Sequence, residues 1–459
     1  MLLTRTPLSR FTSSTLSRQQ IRLASTHHRF LIVGGGTAGT TVAAQLQRAF
    51  KSEGRALGEG EVAVVDGAEK HHYQPGWTLV GSGLAPLSNM SRPLASLIPQ
   101  GVKLYKQDVK TFEPENNKVK TSGEDEISYD YLIVAPGLKT SFAAIPGLTE
   151  ALQDPASKVS TIYKEDSVEK VWRDIQGFEG GGRSSPNPLG SSSALERPRR
   201  SCGWYGSPLL GPFSAPSTPA LSQWKKDGKR EKTDIAFATG GPAMFAVPKY
   251  AAALESLRKE RNVEGLFNHN LVKIDGKNKK ATFAKADGTT VEESYDLLHV
   301  TPPQCPPEFI KESPLADAAG WVSVNPSTTQ HTKYPNVFSL GDASSMPNSK
   351  TAAAITAQAP VLVDNLRALV DGKELKAVYD GYASCPLLTG HNELMLAEFK
   401  YGGIPKETFS RFVGSQDKPN ALFYYLKKDI FPFAYWNAFV KGIWFGPKAF
   451  LRPIAYMKE

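Results

Sequence analysis

Residues Arg29–Val33 (RFLIV) form an unbroken apolar run, the next six residues are GGGTAG, and TTVAAQLQRAF then repeats its apolar positions at helical spacing. A buried strand, a glycine turn and a helix in that order constrain the fold more than any other feature of the chain. Gly34 permits the tight turn, Gly36 lets a backbone approach a pyrophosphate, and Gly39 lets the helix sit close on the strand. Thr37 and Ala38 open the helix, so their N–H groups belong to the same cradle. A second apolar run, EVAVVD, ends in Asp66, about 27 residues beyond Gly39, where a carboxylate can accept ribose hydroxyls.

Two later strings extend the pattern. YDYLIVAPG (Tyr129 to Gly137) and YPNVFSLGD (Tyr334 to Asp342, through Gly341) are apolar strands that end in small-residue turns. SKTAAAITAQ follows the second, and a helix starting near Thr351 would aim its positive pole, reinforced by Lys350, at a bound ring. Between the two strings a further α/β unit starts near Lys232 with TDIAFATGGPAMF. Its Gly240-Gly241 pair is followed by Pro242, so it lacks the glycine triplet that seats a second pyrophosphate and argues against a nicotinamide substrate.

The expected class is therefore α/β with two Rossmann-like dinucleotide-binding domains, the first discontinuous. The boundaries read as 29–150 and 330–400 for the two parts of the FAD domain and 151–329 for the second domain. A C-terminal membrane-associating helical segment covers 401–459, and 1–28 is a leader.

That leader is rich in Arg, Ser and Thr and has no acid before Glu53, the pattern of a mitochondrial presequence. Five arginines by position 29 account for much of the excess of 54 Lys+Arg over 45 Asp+Glu, so no nucleic-acid surface is implied. Cys202, Cys305 and Cys385 are too few for a disulfide scaffold and too dispersed for a zinc site, so no metal is expected. No run reaches the roughly 18 apolar residues of a spanning helix. LFYYLKKDIFPFAYWNAFVKGIWFGPKAFLRP instead mixes aromatics with lysines, which suits helices lying in a membrane interface with their lysines toward headgroups.

The glycine loop and the two later strings resemble the FAD-dependent pyridine-nucleotide-disulfide-reductase superfamily. HHYQPGWTLVGSG, LLHVTPPQCPPEFI, SPLADAAGWVSVN, TQHTKYPNVFSLGD, SKTAAA and YDGYASCPLLTG are similar more narrowly to the mitochondrial sulfide:quinone oxidoreductases. The resemblance implies FAD as cofactor, with Asp342 on the ribityl chain and Gln74 and Val109 as further FAD contacts. It implies oxidation of hydrogen sulfide by a persulfide relay, with Cys385 as one redox cysteine. A small sulfane-sulfur acceptor and ubiquinone complete the partners, at the inner-membrane surface. Nearby positive charge would favour the Cys385 thiolate, Cys305 is structural or incidental by this resemblance, and His299 by its residue type reads as a satisfied core histidine. An NADH:quinone dehydrogenase and an inactive flavin-binding protein are the competing readings.

The chain departs from the family at residues 183–219. A string like KCAGAPQK, carrying the other redox cysteine, is expected ahead of WKKDGKREKTDIAF, and a Ser-, Pro- and Arg-rich stretch stands in its place. Codons that spell Ser191–Trp204, read two bases later, give Ile-Lys-Cys-Ala-Gly-Ala-Pro-Gln-Lys-Val-Met-Trp. The stretch therefore reads as out-of-frame or intron-derived, with Cys202 an accident of the shifted frame.

Overall fold

The computed structural model describes residues 26–179, 201–205 and 217–446, with the side chains of 201–205 and 217–219 excepted. Most of the expected leader (1–25), most of 183–219 and the Cys202 side chain lie outside the described residues.

Strand β1 (Thr26–Val33) is the axis of a seven-stranded sheet. It pairs in parallel with β2 (Val62–Val65) on one side and with the Glu126–Val134 strand on the other. Near-continuous apolar sequence is what a parallel strand covered on both faces requires, and Phe30–Val33 and Val62–Val65 are buried. Thr26–His28, assigned above to the leader, form the first part of β1 and pair with Ile127–Tyr129. No glycine or proline separates leader from strand, so sequence punctuation gave no boundary there. The Val337–Ser339 strand, far along the chain, joins the same sheet beside Leu132–Val134. It brings the Gly341-Asp342 turn to the carboxyl ends of the strands, where open α/β sheets place their ligands.

A five-stranded parallel sheet follows the order Val159–Ser160, Leu297–Val300, Ser201–Tyr205, Asp234–Thr239, Glu264–Phe267. His299 lies in it fully buried and accepts a hydrogen bond from the Ile162 N–H at 3.2 Å, as a core histidine should. Burial pushes its pKa down to about 3, so it is neutral. A third unit pairs Ala383–Gly390 antiparallel with Glu393–Lys400 and packs on the long Ala352–Val370 helix. The chain then turns through short helical segments from Ala421 to Phe439, including two π-helical turns, Leu426–Ile430 and Tyr435–Phe439. None of the helices among the described residues is long and apolar enough to cross a membrane.

Candidate functional site

Helix α1 (Thr37–Ser52) begins directly after Gly36 and points its N-terminus into a cavity of about 580 Å³. That volume is in the range that holds organic cofactors. Gly34 has φ of +100°, and a side chain there would strike the Ala135–Pro136 backbone. A side chain on Gly39 would overlap the Gly34 carbonyl, so strand and helix are packed at backbone distance. At Gly36 a Cβ would meet nothing within 4 Å, which leaves the helix N-terminus open to the cavity.

Gly36, Thr37, Ala38, Asp66, Gln74, Gly137, Asp342, Lys350 and Thr351 all line this cavity. Gly34, Gly39, Gly341 and Val109 do not: the glycines shape the backbone behind it, and Val109 is buried at the start of the Val109–Glu113 strand. Asp66 holds the loop from below, accepting from Gly35 N at 2.5 Å and Ala68 N at 2.8 Å.

Asp342 is the strongest structural indication of a ligand. Its Oδ1 is buried with no hydrogen-bond partner, and desolvation raises its pKa against the pull of Lys350. An orphaned buried oxygen is costly unless a ligand donor reaches it, and a polyol hydroxyl would do so. Lys350 Nζ donates to the Asp342 and Ser344 carbonyls at 2.8 and 3.0 Å and sits 3.9 Å from the Trp321 ring centroid. Burial lowers its pKa to about 8, with Asp342 and Asp317 opposing. Thr351 caps the Ala352–Val370 helix by accepting from Ala354 N at 3.1 Å. The residues present thus fit a dinucleotide with a polyol-linked ring.

Across the same cavity the Ala383–Gly390 strand carries Cys385, and Lys427 lines the wall beside it. Lys427 was expected to face headgroups. It is buried instead, and its Nζ donates to the Pro386 carbonyl at 2.7 Å. The π-helical turn that contains it places its side chain inward, and no hydropathy pattern predicts that. Burial pushes the Cys385 thiol up to about 12, although Lys427 pulls it down, and burial brings Lys427 down to about 7. The expected positive charge is present, but desolvation outweighs it, so the resting thiol is protonated.

Glu398, opposite Ser384 on the paired strand, also reaches the cavity. Its carboxyl accepts from Tyr382 Oη at 2.6 Å, Thr408 Oγ1 at 2.7 Å, Thr408 N at 2.8 Å and Gln416 Nε2 at 2.8 Å. Four donors saturate it, which fixes the strand pair that presents Cys385. Cys305 is outside the cavity lining, its Sγ donating to the Lys139 carbonyl at 3.4 Å. Sequence reasoning missed Lys427, Glu398 and Tyr435, because nothing local marks a lysine, glutamate or tyrosine as inward-facing.

The protein-family model for pyridine nucleotide-disulphide oxidoreductases matches residues 28–176. The chain is 44% identical over 447 residues to the mitochondrial sulfide:quinone oxidoreductase of Schizosaccharomyces pombe, covering 94% of each chain. It is 38% identical over 449 residues to that of Mus musculus, covering 95% of this chain and 91% of the mouse protein. The crystal structure of the sulfide:quinone oxidoreductase from Aquifex aeolicus has the same fold, with a TM-score of 0.67 at 19% identity over 91% of this chain and 92% of that one.

Proposed function

The chain belongs to the sulfide:quinone oxidoreductase family, and from that premise we propose that it oxidises hydrogen sulfide at Cys385 and delivers the electrons through FAD to ubiquinone. FAD is its cofactor. Bound in the cavity, FAD supplies a ring that takes two electrons from the sulfur side and yields them to the quinone. The observation that carries this reading is the single cavity shared by the Gly36–Ala38 cradle, Asp342 and Cys385.

The remaining roles belong to the chain's own side chains. The N–H groups of the first α1 turn hold the pyrophosphate, and Asp66 takes the ribose hydroxyls. Asp342 takes a ribityl hydroxyl, while Gln74 and Gly137 complete the FAD contacts. Lys350 and the helix pole at Thr351 favour negative charge on the ring. Cys385 carries the sulfane sulfur, and its ionisation requires Lys427 to offset the burial of the thiol. A small nucleophile then removes that sulfur. The other redox cysteine of a two-cysteine relay is expected within residues 183–219, where the string that should carry it is absent.

Leu422, Tyr425, Ile430, Phe433, Phe412 and Ile443 expose large apolar side chains beside Arg411, Lys418 and Lys441. Such a surface suits insertion into one leaflet of the mitochondrial inner membrane, from which a quinone reaches the Phe431, Phe439 and Trp444 wall of the cavity. The test is steady-state reduction of a soluble ubiquinone analogue by the purified protein. Sulfide should support turnover. Turnover with NADH in place of sulfide would overturn the reading.

A further inference from the structure

The C-terminal segment that carries the exposed apolar side chains is also fastened, through a row of polar groups, to the turn and helix that cradle the dinucleotide. Thr37, Thr41, Gln45 and Arg48 recur at helical spacing along one face of α1. Each meets the segment 435–446. Thr37 Oγ1 lies 2.6 Å from Tyr435 Oη, and the Thr41 hydroxyl lies 3.5 Å from the Phe439 carbonyl. Gln45 Nε2 donates to the Trp444 carbonyl at 3.4 Å, and Arg48 Nε donates to the Lys441 carbonyl at 2.8 Å. Gly442, at φ +67°, lets the backbones touch, since a Cβ there would lie 2.7 Å from Gln45 N.

At the loop end of this ladder the proton positions follow from chemistry. His71 Nδ1 is 3.0 Å from the Gly35 carbonyl, so it carries the hydrogen and donates. Its Nε2, 2.6 Å from Tyr435 Oη, must then accept the tyrosine proton. Tyr435 Oη is left as acceptor for the Thr37 hydroxyl. Burial lowers the His71 pKa, which keeps the neutral tautomer that this chain of bonds requires. Gly35, Thr37, His71 and Tyr435 therefore form one closed network, with His71 and Tyr435 buried. The Tyr73 ring supports it, with its centroid 4.4 Å from that of Tyr435.

We propose that Tyr435 is a positioning residue that couples FAD occupancy to the seating of the C-terminal segment. FAD held at the α1 N-terminus fixes Gly35 and Thr37, and through them Tyr435. The seated segment in turn tightens FAD binding, because coupling between two such events is reciprocal, and we expect the gain to show as slower FAD release. The proposal rests on FAD as the cofactor, and its test uses neither sulfide nor quinone, so it can fail while the proposed activity stands.

The test is hydrogen–deuterium exchange on the full chain, FAD-loaded and FAD-depleted, with the rate of FAD release measured in parallel. FAD should slow exchange across 435–446 in the wild type. In Tyr435→Phe, which keeps the ring, that FAD effect should be largely lost and FAD release should accelerate about fivefold, the expected consequence of losing one or two buried hydrogen bonds. Thr37→Ser should retain the coupling and Thr37→Val should lose it, which separates a hydroxyl effect from a packing effect. Unchanged exchange across 393–400 shows that each variant is folded. The proposal is overturned if FAD protects 435–446 equally in wild type and Tyr435→Phe, or if the Ser and Val variants at position 37 behave alike.

Discussion

The two walls of the cavity are built on different principles. The dinucleotide wall is mostly backbone: a glycine turn, a helix N-terminus and two carboxyls at strand ends. The sulfur wall is mostly side chain, with Cys385, Lys427 and Glu398 buried together from separate segments. A backbone wall binds by fixed dipoles and tolerates little change in shape. A side-chain wall depends on desolvation and charge, so its chemistry can be altered one group at a time.

The largest expected effect lies on the sulfur wall. Cys385→Ser should lower sulfide-dependent quinone reduction by on the order of a thousandfold or more, measured by steady-state assay, while the protein still retains FAD. Loss of FAD from that variant would show that the two walls are not separable. On the backbone wall, Gly39→Val should destabilise by roughly 3 kcal/mol and abolish flavin binding, because it forces α1 off β1; thermal melting and flavin absorbance check this.

The exposed apolar surface comes next. Replacing either Phe412 or Phe433, 75% and 66% exposed, by Asp should weaken liposome sedimentation by roughly ten- to hundredfold, from the lost burial of one aromatic side chain. Point changes are preferable to truncation near Tyr424, which would also remove Lys427 and Tyr435 from the cavity. Lys427→Met should raise the Cys385 pKa further and slow its alkylation by iodoacetamide several-fold at pH 6, where Lys427 is charged. Faster alkylation would mean that Lys427 does not act on the thiol.

The smallest effect is a slope. Lys427 has a folded pKa near 7, below the ordinary 10.5, so the unfolded chain binds more protons between these values. Its contribution therefore makes stability rise as pH increases through 7 toward 9. Cys385 opposes this only from about 9 upward, where its ordinary pKa lies below its folded value near 12. Urea midpoints at pH 7 and pH 9 should show the rise in wild type and a flatter dependence in Lys427→Met.

The contrast also explains what the sequence could reveal. The dinucleotide wall was legible because β1, GGGTAG, α1 and the Asp66 strand are contiguous, and each residue's role follows from its place in that order. The sulfur wall was legible only at Cys385, through resemblance of its surrounding string. Lys427 read as one of several lysines in an interfacial helix, and only its π-helical turn sends it inward to Pro386. Tyr435 read as one aromatic among many, and its pairing with Thr37 spans 398 residues. Thr26–His28 read as part of the leader yet pair within β1, because they differ little in composition from what precedes them.

In the proposed reaction, sulfur and flavin chemistry meet in one cavity at Cys385. Its most direct test is anaerobic stopped-flow addition of sulfide to the FAD-loaded protein without quinone, following flavin absorbance. Rapid bleaching is expected in the wild type and none on the same timescale in Cys385→Ser. Equal bleaching in both proteins would contradict it.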